Sequence, residues 1–197
     1  VAGLSRAPRA LARRYLDAAL AWAQPGEPRL FITHGLPGSG KTFASQRLLE
    51  QEGAIRLRSD VERKRLFGLG LLEDSQAKGL NLYDAPASAR TYAHLLGMAR
   101  IALQAGYPVI LDAAFLRRDE RSPALALARE LGVPLTIVNC EAPVAVLQAR
   151  LRARTGDASE ADVAVLEKLR LVLEPLAGDE LALARTAASL ISGFSMP

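Results

Sequence analysis

The chain has 197 residues, half of them apolar, and a formal net charge of +4 with a pI near 9.6. This length fits one globular domain that buries roughly 70% of its unfolded surface, and no apolar run approaches the roughly 20 residues of a membrane span. The lone cysteine, Cys140, excludes an intrachain disulfide framework and points to a reducing, cytoplasmic setting. The modest basic excess permits nucleic acid without indicating it, because the scarce aromatic residues are not interleaved with the basic ones as a single-strand platform requires.

Val1 opens the chain, and upstream sequence is expected to be missing. The run to Arg14 is Arg-rich and free of acidic residues, but Asp17 and the end near Pro25 favour an ordinary helix over a transit peptide. Leu11, Tyr15, Ala19 and Trp22 recur at helical spacing, which predicts a helix over 9–23. The break Pro25-Gly26-Glu27-Pro28 follows, so residues 1–26 read as a helix and linker and 27–197 as the main domain. Two roles stay open for the helix: covering the domain's own flank, or joining an upstream domain.

Beyond the break, apolar runs at 29–33, 54–57, 108–113, 134–140 and, more weakly, 186–191 alternate with helical patterns at 43–52, 86–105, 119–131 and 143–154. The central runs lack polar alternation, as strands buried on both faces of a parallel sheet do. The expectation is an α/β, three-layer domain with five strands, mainly parallel.

Between the first strand and its helix stands Gly35-Leu36-Pro37-Gly38-Ser39-Gly40-Lys41-Thr42, a complete G-x-x-x-x-G-K-[ST] in the strand-then-helix context the motif requires. The loop Gly35, Pro37, Gly38, Ser39 and Gly40 would cradle phosphate at a helix N-terminus, its glycines letting backbone N–H groups turn inward around the oxygens. Lys41 would reach the β- and γ-phosphates, and Thr42 would place its hydroxyl on Mg²⁺. His34, just before the loop, is given no role.

The second strand ends at Asp60, with Arg63 three positions on. At the carboxyl edge of the sheet Asp60 could accept a proton from an acceptor hydroxyl; equally, Ser59 and Asp60 could be helix caps, and spacing leaves the two open. Arg58, Arg63, Lys64 and Arg65 fit a solvated face as well as a site. Later, Arg150 and Arg154 lie four apart, on one face of a helix, and in a closing lid could neutralise a transferring phosphoryl group. Gly156-Asp157 reads as that lid's hinge.

Other users of such a loop fit less well. The strand ending at Val138 runs into Asn139-Cys140-Glu141-Ala142, which lacks the lysine and aspartate that read guanine. Asp112 is followed by Ala113 and Ala114, so a motor's water-activating carboxylate is absent there.

Together, the loop, Asp60-x-x-Arg63, "GYPVILDAAFLRR" and "CEAPVAVLQARLRAR" resemble the small P-loop kinases that include polynucleotide kinase, zeta toxin, chloramphenicol phosphotransferase and gluconate kinase, over Arg29 to about Leu176. The uncharacterised predicted-kinase branch is similar, often found as the C-terminal half of proteins with an aminoglycoside-phosphotransferase-like N-terminal half. The resemblance implies a P-loop kinase fold with a helical lid. It also implies Lys41 and Thr42 on ATP and Mg²⁺, Asp60 as acceptor base, Arg63 as acceptor or phosphate contact, Asp112 in the Mg²⁺ shell, and Arg150 with Arg154 as lid arginines. Ala114 departs from the hydroxyl residue or asparagine common there. Acceptor specificity is expected in 66–85; Phe115, Arg117 and Arg118 could contact the acceptor or begin a surface helix, and Tyr92 and His94 could face the site but read rather as a packed tyrosine and a surface histidine. The alternative function is a nucleotide-binding regulatory ATPase module acting on an upstream domain.

Overall fold

The computed structural model describes residues 6–23, 26–154 and 156–191; Val1, Pro25 and the side chain of Trp22 lie outside them. Helix α1 spans Arg6–Ala23 and leaves Leu11, Tyr15, Leu16 and Leu20 each more than half exposed. These four residues therefore do not pack on the domain's flank.

Five strands follow: β1 Leu30–His34, β2 Ile55–Arg58, β3 Val109–Asp112, β4 Leu135–Asn139 and β5 Ala184–Thr186. They form one sheet in the order β2-β3-β1-β4-β5, and every pairing is parallel. The second strand thus neighbours β3, not β1, yet its carboxyl end stays on the same edge as that of β1. Strand β1 is buried at all five residues, which is why it reads as an unbroken apolar run.

Alternate residues of these strands face two layers. Leu30, Ile32, Val109, Leu111 and Ile137 pack with Leu95, Ala99 and Leu103 of α4 (Ala85–Gln104) and Ala124, Leu127 and Ala128 of α5 (Arg118–Leu131). Phe31, Ile110 and Val138 turn the other way, onto Ala44 and Leu48 of α2 (Lys41–Glu52) and Ala187 beyond β5. A third, small cluster joins Leu147 and Leu151 of α6 (Val144–Ala153) to Leu166 of α7 (Val163–Leu171). That cluster stands apart from the sheet and holds the lid together.

Two expectations are corrected. The last strand is not 186–191: it ends at Thr186, whose side chain accepts a hydrogen bond from the Ser189 amide and caps the short helix Ala187–Leu190. An apolar run of this length fits a strand or a capped turn of helix, and the threonine cap decides for helix. The charge run at 58–65 is not a solvated face. It forms helix α3 (Ser59–Leu66), in which Arg63 and Lys64 are buried while Arg65 stays exposed.

Candidate active site

The phosphate loop is wedged between the end of β4 and helix α6, and two glycines make this approach sterically feasible. A Cβ on Gly35 (φ 146°) would lie 2.2 Å from the Cys140 carbonyl oxygen, and one on Gly38 (φ 81°) 3.0 Å from that of Leu147. Cys140 contributes backbone here; its thiol is buried and its pKa is pushed up to about 12 by burial. Pro37, Gly38, Gly40, Lys41 and Thr42 line a cavity of about 900 Å³, whereas Gly35 and the buried Ser39 build the loop from behind.

Lys41 Nζ donates to the carbonyl oxygens of Gly35 and Leu36, both at 2.9 Å. Burial lowers its pKa, and the Asp112 carboxylate opposes that shift. Asp112, 5% exposed at the end of β3, accepts from Ser45 Oγ at 2.8 Å. Burial raises its pKa against that hydrogen bond and the charges of Lys41, Arg58 and Arg56. Thr42 and Asp112 line the same cavity. A hydroxyl and one carboxylate are a fitting protein share for Mg²⁺, which takes its other oxygens from phosphate and water; among the described residues no group of three or more His, Cys, Asp or Glu could hold a metal alone.

Asp60 is the second residue of α3. Helix α3 has Arg58 as its N-cap and no side-chain capping bond, so Asp60 does not serve as the cap. Among the described residues the Asp60 carboxylate makes no hydrogen bond and no ion pair, and it lines the cavity. Arg63, one turn on, is 6% exposed. Its guanidinium donates to the Leu82 carbonyl and to Ser88 Oγ, and it lies 4.9 Å from the centre of the Tyr83 ring. The carboxylate and the cation share the helix and the cavity without pairing.

On the lid side, helix α6 ends at Ala153 and Arg154 is its C-cap (φ −70°, ψ 131°), the residue after which the chain leaves the helix. Arg150 and Arg154 both line the cavity. Arg150 Nη1 donates to the Gly38 carbonyl at 3.2 Å; Arg154 Nε stands 3.9 Å from Asp157, and its Nη1 is buried without a hydrogen-bond partner.

The partners of several charged residues at and behind the site escape sequence reasoning. Arg58 ends β2 and pairs with Asp157 of the hinge at 2.8 Å. Burial would raise the Asp157 pKa, but the Arg58 hydrogen bond and charge, with Arg154, hold it below the usual range. Lys64, almost fully buried, donates to the carbonyls of Leu71 and Glu73 and pairs with Glu160 at 3.0 Å. Glu160 also accepts from the Ser75 amide and hydroxyl, and its own amide donates to the Tyr83 hydroxyl. The loop after α3 and the lid segment are thus one bonded unit. Partners 85 residues apart leave no local sequence signal; only the i+4 spacing of Ser45 from Lys41 could have been read.

Of the remaining candidates, Tyr92 lines the cavity, accepts from the Phe115 amide at 3.2 Å and stacks edge-on against that ring at 5.0 Å. Burial raises its pKa. Phe115 is fully buried with φ 45°, held from the other side by Arg121, which donates to the Phe115 and Leu116 carbonyls and to Glu180. Arg117 lines the cavity and pairs with Asp119 and Glu120, whereas Arg118 turns outward to Asp179. His94 faces Glu62 at 3.4 Å, and His34 is held by Asn139; neither reaches the cavity.

Comparison with known proteins bears on the family and the fold. An uncharacterized protein of Mycobacterium tuberculosis is 30% identical over 157 residues, which are 79% of this chain and 32% of that protein; the chain spans about a third of the length of such relatives. A sugar kinase from Janibacter sp. HTCC2649 superposes with a TM-score of 0.63 at 19% identity, over 83% of this chain and 90% of that one. Chaetomium thermophilum Kti12, solved with ADP-AlF3, does so with a TM-score of 0.60 at 16% identity, over 80% and 87%. Among the described residues no helix is long and apolar enough to cross a membrane. The AAA domain family AAA_33 matches residues 30–176, and with its phosphate loop, parallel sheet and lid the chain belongs to that family and has the fold of the small P-loop kinases.

Proposed function

We propose that this domain is an ATP-dependent kinase that transfers the γ-phosphoryl group to a hydroxyl of a small molecule or a nucleic-acid end. The observation that carries the reading is the unpaired Asp60 carboxylate in the same cavity as Lys41 and the loop amides. The acceptor oxygen attacks the γ-phosphorus as the bond to the bridging oxygen breaks. ADP leaves with that electron pair, and the hydroxyl proton passes to Asp60. Lys41, Arg150 and Arg154 stabilise the charge on the transferring group, and Arg63 contacts the acceptor. Thr42 and Asp112 would hold Mg²⁺, whose chemistry there is to neutralise phosphate charge.

The family's kinase-like folds and the ADP-AlF3 complex of Kti12 support ATP as donor. A screen with γ-labelled ATP over nucleosides, sugars, aminoglycosides and 5′-hydroxyl oligonucleotides tests the reading: labelled product with wild type and none with Asp60→Asn is expected. Inorganic phosphate alone with every acceptor would overturn it. The same reading places the enzyme in the reducing cytoplasm, with Cys140 as an inert thiol.

The exposed apolar residues of α1 favour a second reading, in which the domain binds or slowly hydrolyses ATP and reports to an upstream domain. Nucleotide-dependent behaviour of the longer protein with no phosphoryl acceptor would mark that case.

A further inference from the structure

The cavity is larger than its phosphate end, and its two ends differ in chemistry. Around the loop it is lined by amides, Lys41 and the lid arginines, which suit phosphate. It is also lined by α7 and its C-cap, where Val165, Leu169 and Val172 face it together with Lys168. The i, i+4 and i+7 spacing of the three apolar residues makes them one continuous stripe. The lid's own core does not need that stripe, because α7 packs on α6 through Leu166, which is fully buried against Leu147 and Leu151. Val165 and Leu169 remain partly exposed and Val172 is 46% exposed.

Leu116, Ala113, Ala114 and Ala161 add apolar surface to the same cavity, which Arg117, Glu120 and Lys168 also line with charged side chains. A free sugar placed on this apolar surface would lose hydration of its hydroxyls against apolar carbon, an uncompensated loss. An apolar surface inside a cavity with a few polar groups at one end is the lining that an amphipathic ligand completes.

We infer that the acceptor is an amphipathic alcohol: one hydroxyl reaches Asp60 while an aromatic or branched-alkyl group rests on the Val165, Leu169 and Val172 stripe of α7. The direction of the hydroxyl rests on the kinase reading; the apolar subsite does not. Covering the stripe with a ring-sized group tightens binding on the order of 10- to 100-fold over the same alcohol without it.

The test uses matched alcohols: methyl and phenyl β-glucopyranoside, methyl and phenyl β-ribofuranoside, and 1,3-propanediol with its 2-phenyl derivative. Their affinity for the full chain loaded with Mg²⁺ and a non-hydrolysable ATP analogue is read by ligand-observed NMR, and transfer from γ-labelled ATP is followed in parallel. At least one phenyl member is expected to bind tenfold or more tighter than its partner. Leu169→Asn, and separately Val172→Asn at a half-exposed position, should erase that preference and leave affinity for the ATP analogue unchanged. Equal binding within every pair, weak or strong, overturns the inference, as does a phenyl preference that survives both variants. A preference for the phenyl members without labelled product keeps the apolar subsite and removes the kinase reading; labelled product without preference does the reverse.

Discussion

The two halves of the cavity are built in opposite ways. The donor half comes from eight consecutive residues whose backbone does the binding, so its demands fall on a few positions: glycine where the chain meets Cys140 and Leu147, and one lysine. The proposed acceptor half is assembled from side chains on α3, the loop after it, α4, the segment after β3 and α7. A backbone cradle fails as a whole when it is disturbed, whereas an assembled wall can lose one function at a time.

That contrast can be broken or sharpened by substitution. Lys41→Ala should lower turnover by roughly 10² to 10⁵ and weaken nucleotide binding, while Asp60→Asn should show a comparable loss with nucleotide affinity nearly intact; equal losses of affinity, measured with a fluorescent ATP analogue, would erase the distinction. Lys64→Met leaves Glu160 without its buried partner and should cost about 3–5 kcal/mol in urea unfolding. Gly35→Ala must displace the Cys140 carbonyl and hold an unfavourable φ, for about 2–4 kcal/mol and a lost nucleotide site.

A smaller effect is tied to pH. Asp157 and Glu160 are held below their ordinary values of 3.8 and 4.5; burial opposes the shift in each, and hydrogen bonds from Arg58, or from Ser75 and Lys64, outweigh it. A depressed carboxylate stabilises the fold above its ordinary value and loses that contribution as pH falls through the lower folded value. The urea midpoint should therefore drop below pH 4.5, and Glu160→Gln should flatten that drop. Smallest of all, Arg65→Ala removes an exposed guanidinium from the buried Glu62 carboxylate, which keeps His94 beside it, and should cost about 1–2 kcal/mol. A loss matching that of Lys64→Met would mean that the charge run acts as one unit.

The sequence carried the donor half well because its constraints are contiguous: strand, glycine turn, lysine, helix. The sheet was legible for a similar reason, since strands buried on both faces show unbroken apolar runs. What escaped was set by distance. Lys64 looks like its neighbour Arg65 in sequence, and only Glu160, far along the chain, makes one a buried ion and the other a surface charge. The end of the lid helix was equally hidden: α6 stops at Ala153 with Arg154 as its C-cap, and the partner of that arginine, Asp157, lies in the segment beyond. The 186–191 run failed because three alanine or serine positions after a threonine suit a capped turn of helix as readily as a strand.

The bonds from Glu160 to Ser75, Lys64 and the Tyr83 hydroxyl have a bearing on how such enzymes diversify. Residues 67–83 are not a free cassette: a loop transplanted from a relative would arrive without its hydrogen-bonding counterpart across the cleft. Grafts that carry 156–162 along with the loop should express and fold where the loop alone does not, and under the proposed kinase activity new acceptors are reached by exchanging the two segments as a pair.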